Sequence, residues 1–414
     1  MSVEEAAVPS PPGLLRHRPF LHYFASRSLS ELSYQIAAVA VGWQVYALTH
    51  SALNLGLVGL VQFLPSALLM LPAGHIADRY ARNRIVLVCS STEALAAAYL
   101  AWSSYTGQIT VSAIYVALAV FGVASAFDSP ASAALLPGVT SDEQLQRGTA
   151  LSTGAWQFAA IAGPAAGGVL AAVSPAAPYL AMFVLSVLSA ALIGTIRLRT
   201  PERVNDSPTL ATLFAGVTFV ARNPAILGTI SLDLFAVLLG GAAALLPIYA
   251  SDILHTGAWG LGLLRGVLSL GALLMTVLLA RHAITEGAGR KMFLAVIVFG
   301  LAIIVFGISR QLWLSITALT VMGAADTVSV VIRSSLVQLA TPDAVRGRVS
   351  AVNYLFINAS NQLGAFESGI TAALLGTVPA VVMGGIGTIA VALLWMRLFP
   401  TLRNVERLDG AIHP

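Results

Sequence analysis

The chain has 414 residues, of which 57% are hydrophobic and only 10% charged, with a mean hydropathy of +0.84. Soluble domains carry about 25% charge, so this much apolar surface cannot be hidden in a water-soluble fold, and the chain reads as an all-α integral membrane protein. The 22 Lys and Arg against 18 Asp and Glu leave a net charge of +4, whose distribution points to membrane topology and not to nucleic acid.

The first residues, Met1-Ser2-Val3-Glu4-Glu5, lack the basic start of a secretory signal. Residues 1–21 therefore read as a cytoplasmic leader, flexible around Pro9 to Gly13. Segmenting at about 20 apolar residues per span predicts twelve transmembrane helices: 22–48, 53–74, 85–105, 110–132, 147–172, 176–197, 224–249, 257–280, 291–309, 311–334, 346–373 and 377–398. Arginines of the connections, among them Arg79, Arg84, Arg147, Arg197, Arg199, Arg203, Arg281, Arg346 and Arg407, fall on one side, whereas the opposite loops hold only Arg310. By the positive-inside rule both termini are cytoplasmic. The longest polar interruption, 199–222, reads as a cytoplasmic linker between a six-helix bundle at 22–198 and another at 223–399, followed by a cytoplasmic tail at 400–414.

The bundles read as pseudo-repeats. Thr140, Asp142, Arg147 and Ala150 recur as Thr341, Asp343, Arg348 and Ala351, a constant offset of 201, which also maps Gly122 to Gly323, Gly163 to Gly364 and Gly168 to Gly369. Ala67-Leu68-Leu69-Met70 recurs as Ala272-Leu273-Leu274-Met275, while Asp78 and Arg82 recur as Glu286 and Arg290. Agreement at nearly one offset across several loops argues for duplication.

Between the second and third spans lies Gly74-His75-Ile76-Ala77-Asp78-Arg79-Tyr80-Ala81-Arg82-Asn83-Arg84. Gly74 suits close helix approach, Asp78 suits a helix N-terminus, and Arg79, Arg82 and Arg84 suit headgroups or acidic partners. The segment resembles the gating loop between helices 2 and 3 of the major facilitator superfamily. It departs from the pattern at Ala81, where glycine is usual, and at Asn83, where a basic residue is usual. The resemblance implies two parallel six-helix repeats that move by alternating access around a substrate at the midplane. In the fifth span, Gly154 and Gly163-Pro164-Ala165-Ala166-Gly167-Gly168 combine a missing backbone donor with close-packing glycines, which predicts a kinked, tightly packed segment. This motif resembles the one found in the superfamily's drug:proton antiporters and favours export. Gly323-Ala324-Ala325-Asp326 through Arg333, and Thr341 through Asn353, are similar to the branch of enterobactin exporters and macrolide-efflux pumps. The fourth span has no arginine, although many drug:proton antiporters carry a coupling arginine there.

Ionisable groups at bilayer depth are costly, so each is a functional candidate: Glu31, Glu93, Asp128, Asp233, Arg265, Asp326, Arg333 and Glu367. The seven histidines lie near span ends or outside the spans, which leaves carboxylates to carry any proton. Glu31 and Asp233, early in the first span of each bundle, are the leading proton carriers, with Arg265 and Arg333 as their partners or as contacts for an anionic substrate. Asp326 and Arg333, seven residues apart, suit a stripe along the cavity better than a direct pair. Asp128, followed by Ser129-Pro130, marks a break in span 4 or a buried cap; Glu367 stands where the first bundle has Ala166; Glu93 reads as a structural pair. Gln35, Trp43, Gln62, Gln157, Asn353, Asn358, Asn361 and Gln362 are further candidates for the substrate cavity. The lone Cys89 excludes a disulfide framework; no metal or cofactor set and no catalytic cluster is visible.

The chain is thus expected to be a monomeric inner-membrane exporter of a small amphiphilic or anionic molecule, siderophore-like or drug, working by proton antiport in the bacterial phospholipid bilayer. A multidrug or macrolide pump, a symporter and a lipid flippase of the same fold are the alternatives.

Overall fold

The computed structural model describes residues 14–196, 217–282, 284 and 286–406. Most of the predicted linker and tail, with Arg197, Arg199, Arg203 and Arg407, lies outside the described residues. The described residues are almost wholly helical: α1 (Arg18–Thr49), α2 (Ala52–Arg79), α3 (Arg82–Tyr105), α4 (Val111–Val139), α5 (Asp142–Val173), α6 (Ala177–Gly194), α7 (Pro224–Leu239), α8 (Gly257–Arg281), α9 (Ala288–Ile308), α10 (Leu312–Ala340), α11 (Asp343–Leu375) and α12 (Thr377–Leu398). Among the described residues, ten segments are long and apolar enough to cross a membrane, by length and composition. The other two long helices, α1 and α11, fall outside that set and hold a large share of the polar candidates.

Helices suit this chain because hydrocarbon offers no partner for an open backbone group, so each segment must satisfy its own. The ends are closed locally. Ser51 caps α2 by accepting the Asn54 N–H, Thr110 caps α4 by accepting the Ala113 N–H, and Asn223 accepts the N–H groups of Ala225 and Ile226 ahead of Pro224. Only Tyr80 and Ala81 separate α2 from α3, so most of the segment expected as a loop is helix. The N-cap of α3 is Ala81 with no side-chain cap, which replaces the capping role expected of Asp78. Arg82 donates to the carbonyl of Ala134 at 2.9 Å and Asn83 to that of Ile196 at 2.6 Å, tying the junction to α4 and to the end of α6.

Two sequence expectations change. α4 runs through Pro130 without a break, because the lost backbone donor is a single hydrogen bond in an otherwise complete helix. The seventh span, expected as one helix, stops at Leu239. It continues through a 3₁₀ turn (Ala242–Leu245), a short helical turn (Leu246–Ile248) and a π-turn (Tyr249–Ile253). The pair Gly240-Gly241 permits this change of course, and Tyr249 Oη donates to the carbonyl of Gly307 at 2.8 Å to hold the irregular stretch. The fifth helix passes through Pro164 uninterrupted.

Packing repeats with the chain. Within α1–α6, α1 packs on α4, α5 and α6, α2 on α4, and α3 on α4 and α6; within α7–α12, α7 packs on α10, α11 and α12, α8 on α10, and α9 on α10 and α12. The principal contacts between the two sets, α2 with α11 and α5 with α8, are also related by this repeat. Both crossings are made at glycines. A Cβ on Gly168 would lie 2.7 Å from the Ala258 carbonyl oxygen and 2.8 Å from the Gly262 Cα, and one on Gly369 would lie 2.7 Å from the Gly56 Cα. These glycines sit near the ends of their helices that face the 50–51, 174–176, 254–256 and 376 connections. Gly154 and Gly347, toward the opposite, arginine-rich end, meet nothing within 4 Å. The sets therefore close against each other at one end. Outward-facing leucines such as Leu95 (72% exposed) and Leu374 (77%) are the surface that lipid covers.

Gly168→Val forces side-chain atoms into this backbone contact, and overpacking costs typically 1–3 kcal/mol. The expected outcome is a melting temperature several degrees lower in detergent, whereas Gly154→Val, at an open position, leaves it nearly unchanged.

Candidate functional site

The crossing geometry leaves a cavity of about 530 Å³ between the two sets, within the usual range for small-molecule sites. α1 contributes Tyr34 and Gln35 to its wall, α2 Gln62, α8 Arg265, α10 Asp326, and α11 Asn361 and Gln362. Of the candidates named from the sequence, Gln35, Gln62, Asn361, Gln362, Arg265 and Asp326 are brought together in this wall. Trp43, Gln157, Asn353, Asn358 and Arg333 are not part of this wall; Trp43 packs against the central hydrophobic core, and Asn358 is turned back on the carbonyl of Tyr354 in its own helix. Asn361 likewise donates to the carbonyl of Ile357. Tyr34 was not among the expected residues, since a tyrosine in an apolar span carries no signal of its own.

Arg265 is the unusual member. It makes no ion pair or hydrogen bond among the described residues, and its Nε is shielded from solvent without a partner. The expectation that Arg265 pairs with a carboxylate of span 1 or 7 is therefore replaced: its guanidinium faces the cavity with its donors unused.

The remaining charges gather into two clusters. In the second set, Arg333 of α10 forms a close ion pair with Asp233 of α7, and both are nearly buried. Its Nη2 also lies 3.9 Å from Asp326 Oδ1, whose side chain is 46% exposed, so Asp326 and Arg333 face each other more directly than a stripe implies. Arg333 Nε donates to the Ser329 carbonyl at 3.3 Å. In the first set, Arg27 of α1 pairs with Asp128 of α4 at 3.0 Å and stands 3.8 Å from Glu31. Ser132 Oγ donates to the other Asp128 oxygen at 3.1 Å. Asp128 is thus an ion-pair partner between helices, not a helix break.

Arg27 lies inside the first predicted span but was not among the expected residues. The available signal was its position four residues before Glu31, one helical turn away on the same face. The clusters are also related by the repeat with the charges exchanged. The offset of 201 carries Asp128 to Ser329 and Ser132 to Arg333, and 202 carries Glu31 to Asp233. The first set joins a cationic α1 to an anionic α4; the second joins an anionic α7 to a cationic α10.

Glu31 and Arg27 line a separate recess of about 310 Å³ with Trp156 between α1 and α5. Asp233 lines only a narrow cleft beside Arg333 and Asp326. The two leading proton-carrier candidates therefore sit outside the wall of the large cavity, whereas Asp326 forms part of it. Glu367 lies in a third recess, away from the cavity. In the fifth-span motif, Gly167 packs on α1 and Gly168 on α8, so its glycines join α5 to both neighbours.

A sequence model of the family described as transmembrane secretion effector matches residues 10–412. The chain belongs to this branch of the major facilitator superfamily. The enterobactin exporter of Citrobacter koseri is 27% identical over 398 residues, 95% of each chain, and that of Escherichia coli K12 is 24% identical over 396 residues, again 95% of each. Among solved structures, a bacterial homologue of the human lysosomal transporter Spinster, inward-facing and occupied, superposes with a TM-score of 0.73 at 13% identity, covering 95% of this chain and 98% of that one. The D-xylose-proton symporter gives 0.67 at 13% identity, covering 91% and 96%. These structural likenesses establish the fold. The protein is a multi-pass membrane transporter of the major facilitator type.

A buried pair is costly to break on one side only: about 3–5 kcal/mol when one partner is removed, and much less when both are replaced. Arg333→Gln is therefore expected to lower the melting temperature strongly, with Arg333→Leu/Asp233→Leu recovering most of the loss. Arg27→Gln, at a 38% exposed arginine, has the smaller effect. Thermal unfolding of the four proteins in one detergent checks the order.

Proposed function

We propose that the protein exports a small amphiphilic or anionic molecule, siderophore-like or drug, across the bacterial inner membrane by proton-driven alternating access. The carrying observation is the cavity between the two helix sets, with an unpaired Arg265 and a half-exposed Asp326 in one wall. Twelve spans in two six-helix bundles, 22–198 and 223–399, fit the repeated packing, with α1 and α11 crossing the membrane despite their polar residues. By the positive-inside rule the arginine-rich end and both termini are cytoplasmic. The glycine crossings then close the external end, and the described arrangement is the one that loads cargo from the cytoplasm. Export is further supported by the fifth-span motif and by relatives named as enterobactin exporters.

Arg265 receives the anionic group of the cargo, because a guanidinium with free donors in a low-dielectric cavity binds an acidic oxygen strongly. Gln35, Gln62 and Gln362 supply neutral hydrogen bonds, with Asn361 turned to its own helix until cargo arrives. The acids divide by their contacts. Asp128 and Asp233 hold the arginines across helices. Glu31 and Asp326, at 3.8 and 3.9 Å from those arginines, are the acids free to exchange a proton, and movement of the arginine toward either one couples protonation to helix position.

Two measurements in proteoliposomes test this reading. With an imposed pH gradient and a dye inside, a catecholate siderophore is expected to dissipate the gradient in wild type; Asp326→Asn and Glu31→Gln abolish this proton flux while still binding cargo. Cargo movement without proton flux would overturn the antiport assignment. Separately, Arg265→Gln is expected to weaken binding of the anionic cargo by roughly 10- to 100-fold, the range for loss of a charge-assisted hydrogen bond, and to leave the melting temperature within a degree or two.

A further inference from the structure

The second helix set holds a carboxylate that the cavity does not use. Glu367 is two residues beyond Ala365, a cavity residue, and so points about 200° away around α11. It lines a recess of about 310 Å³ between α7, α11 and α12, with Leu239, Thr371, Leu374, Met383 and Gly384. Thr371 Oγ1 donates to Glu367 Oε1 at 2.7 Å, and Ser368 Oγ lies 3.5 Å from Oε2. No basic side chain lines the recess, and Glu367 forms no ion pair among the described residues.

Two features make this recess attractive to a cation. One is the carboxylate itself, which in hydrocarbon calls for a partner. The other is the end of α7: the helix stops at Leu239, inside the span, and its C-terminal carbonyls carry the negative end of the helix dipole. The recess opens sideways, where Leu374 is 77% exposed and Leu375 and Met383 are each 52% exposed, a face that acyl chains cover. Along α11, Glu367 is eight residues before Leu375, roughly 12 Å from the helix end, within reach of a headgroup that dips below the interface. Packing alone does not require an acid here, because the repeat places Ala166 at the matching position of the first set.

We propose that this recess is a lateral binding site for a bilayer lipid with a primary ammonium headgroup. The –NH₃⁺ group donates to Glu367, and an acyl chain lies along Leu374, Leu375 and Met383. A primary ammonium offers three N–H donors, like the lysine side chain, and progressive N-methylation removes them. A phosphocholine headgroup keeps the charge but none of the donors, so the site discriminates between the two.

The test uses the full-length protein, delipidated and mixed with equal amounts of phosphatidylethanolamine and phosphatidylcholine of matched acyl chains, with retained lipids counted by native mass spectrometry. Wild type is expected to retain phosphatidylethanolamine by about tenfold over phosphatidylcholine. Glu367→Gln, nearly isosteric and checked for an unchanged melting temperature, is expected to lose the preference. Met383→Trp, which fills the recess from the α12 side, is expected to lose retention of both lipids. No headgroup preference in wild type, or a preference that survives Glu367→Gln, overturns the proposal. It is also overturned if a long-chain alkylamine displaces the lipid and is itself exported, since the recess would then belong to cargo.

Discussion

Where α5 meets α8 and α11 meets α2, backbone touches backbone, and this close approach governs the shape of the whole molecule. In a bilayer the helices gain no hydrophobic energy by associating, because lipid chains are as apolar as leucine. Contact must come from shape, and only glycine gives shape this tight. Gly168 against Gly262 and Gly369 against Gly56 draw the helix sets together at one end. The other end, where Gly154 and Gly347 have no close neighbour, is left apart, and the cavity is the space between. Its polar wall follows from which face each helix must turn inward once those crossings are made.

The buried charges impose the second constraint. Each helix set ties its first helix to its fourth through an arginine and an aspartate, with a further acid within 4 Å of the arginine. Exchange of sign between the sets shows that the repeat preserves the contact and not the residues: a salt bridge between two helices is satisfied with either polarity. Arg265 departs from this economy. Among the described residues its guanidinium has no ion pair, and it faces the cavity between the sets.

The glycines of the fifth span also acquire a concrete meaning. The helix that carries the glycine-proline motif runs on through Pro164, and its glycines serve two partners. Gly167 meets α1 within its own set and Gly168 meets α8 across the divide. A substitution at either position therefore disturbs a different junction, one internal to a set and one at the surface that must move if the transporter alternates.

Membrane embedding, the apolar helices and the family were legible in the sequence, because each rests on local information: twenty-residue hydropathy, the 74–84 segment and a repeat offset of 201. Arg265, Asp326, Gln35 and Gln62 were also legible as polar residues at bilayer depth, since polarity there is conspicuous residue by residue, and the structure places all four in the cavity wall. Tertiary structure alone decided the partners. It joined Arg27 to Asp128, a hundred positions away, gave Asp233 to Arg333, left Arg265 without an ion pair among the described residues, and turned Glu367 to the outer side of α11. It also ended the seventh helix at Leu239, where composition reads as one continuous span. Hydropathy along a chain records how much each residue dislikes lipid; which neighbour relieves that cost depends on helix rotation and crossing, and these are fixed only when all the helices pack together.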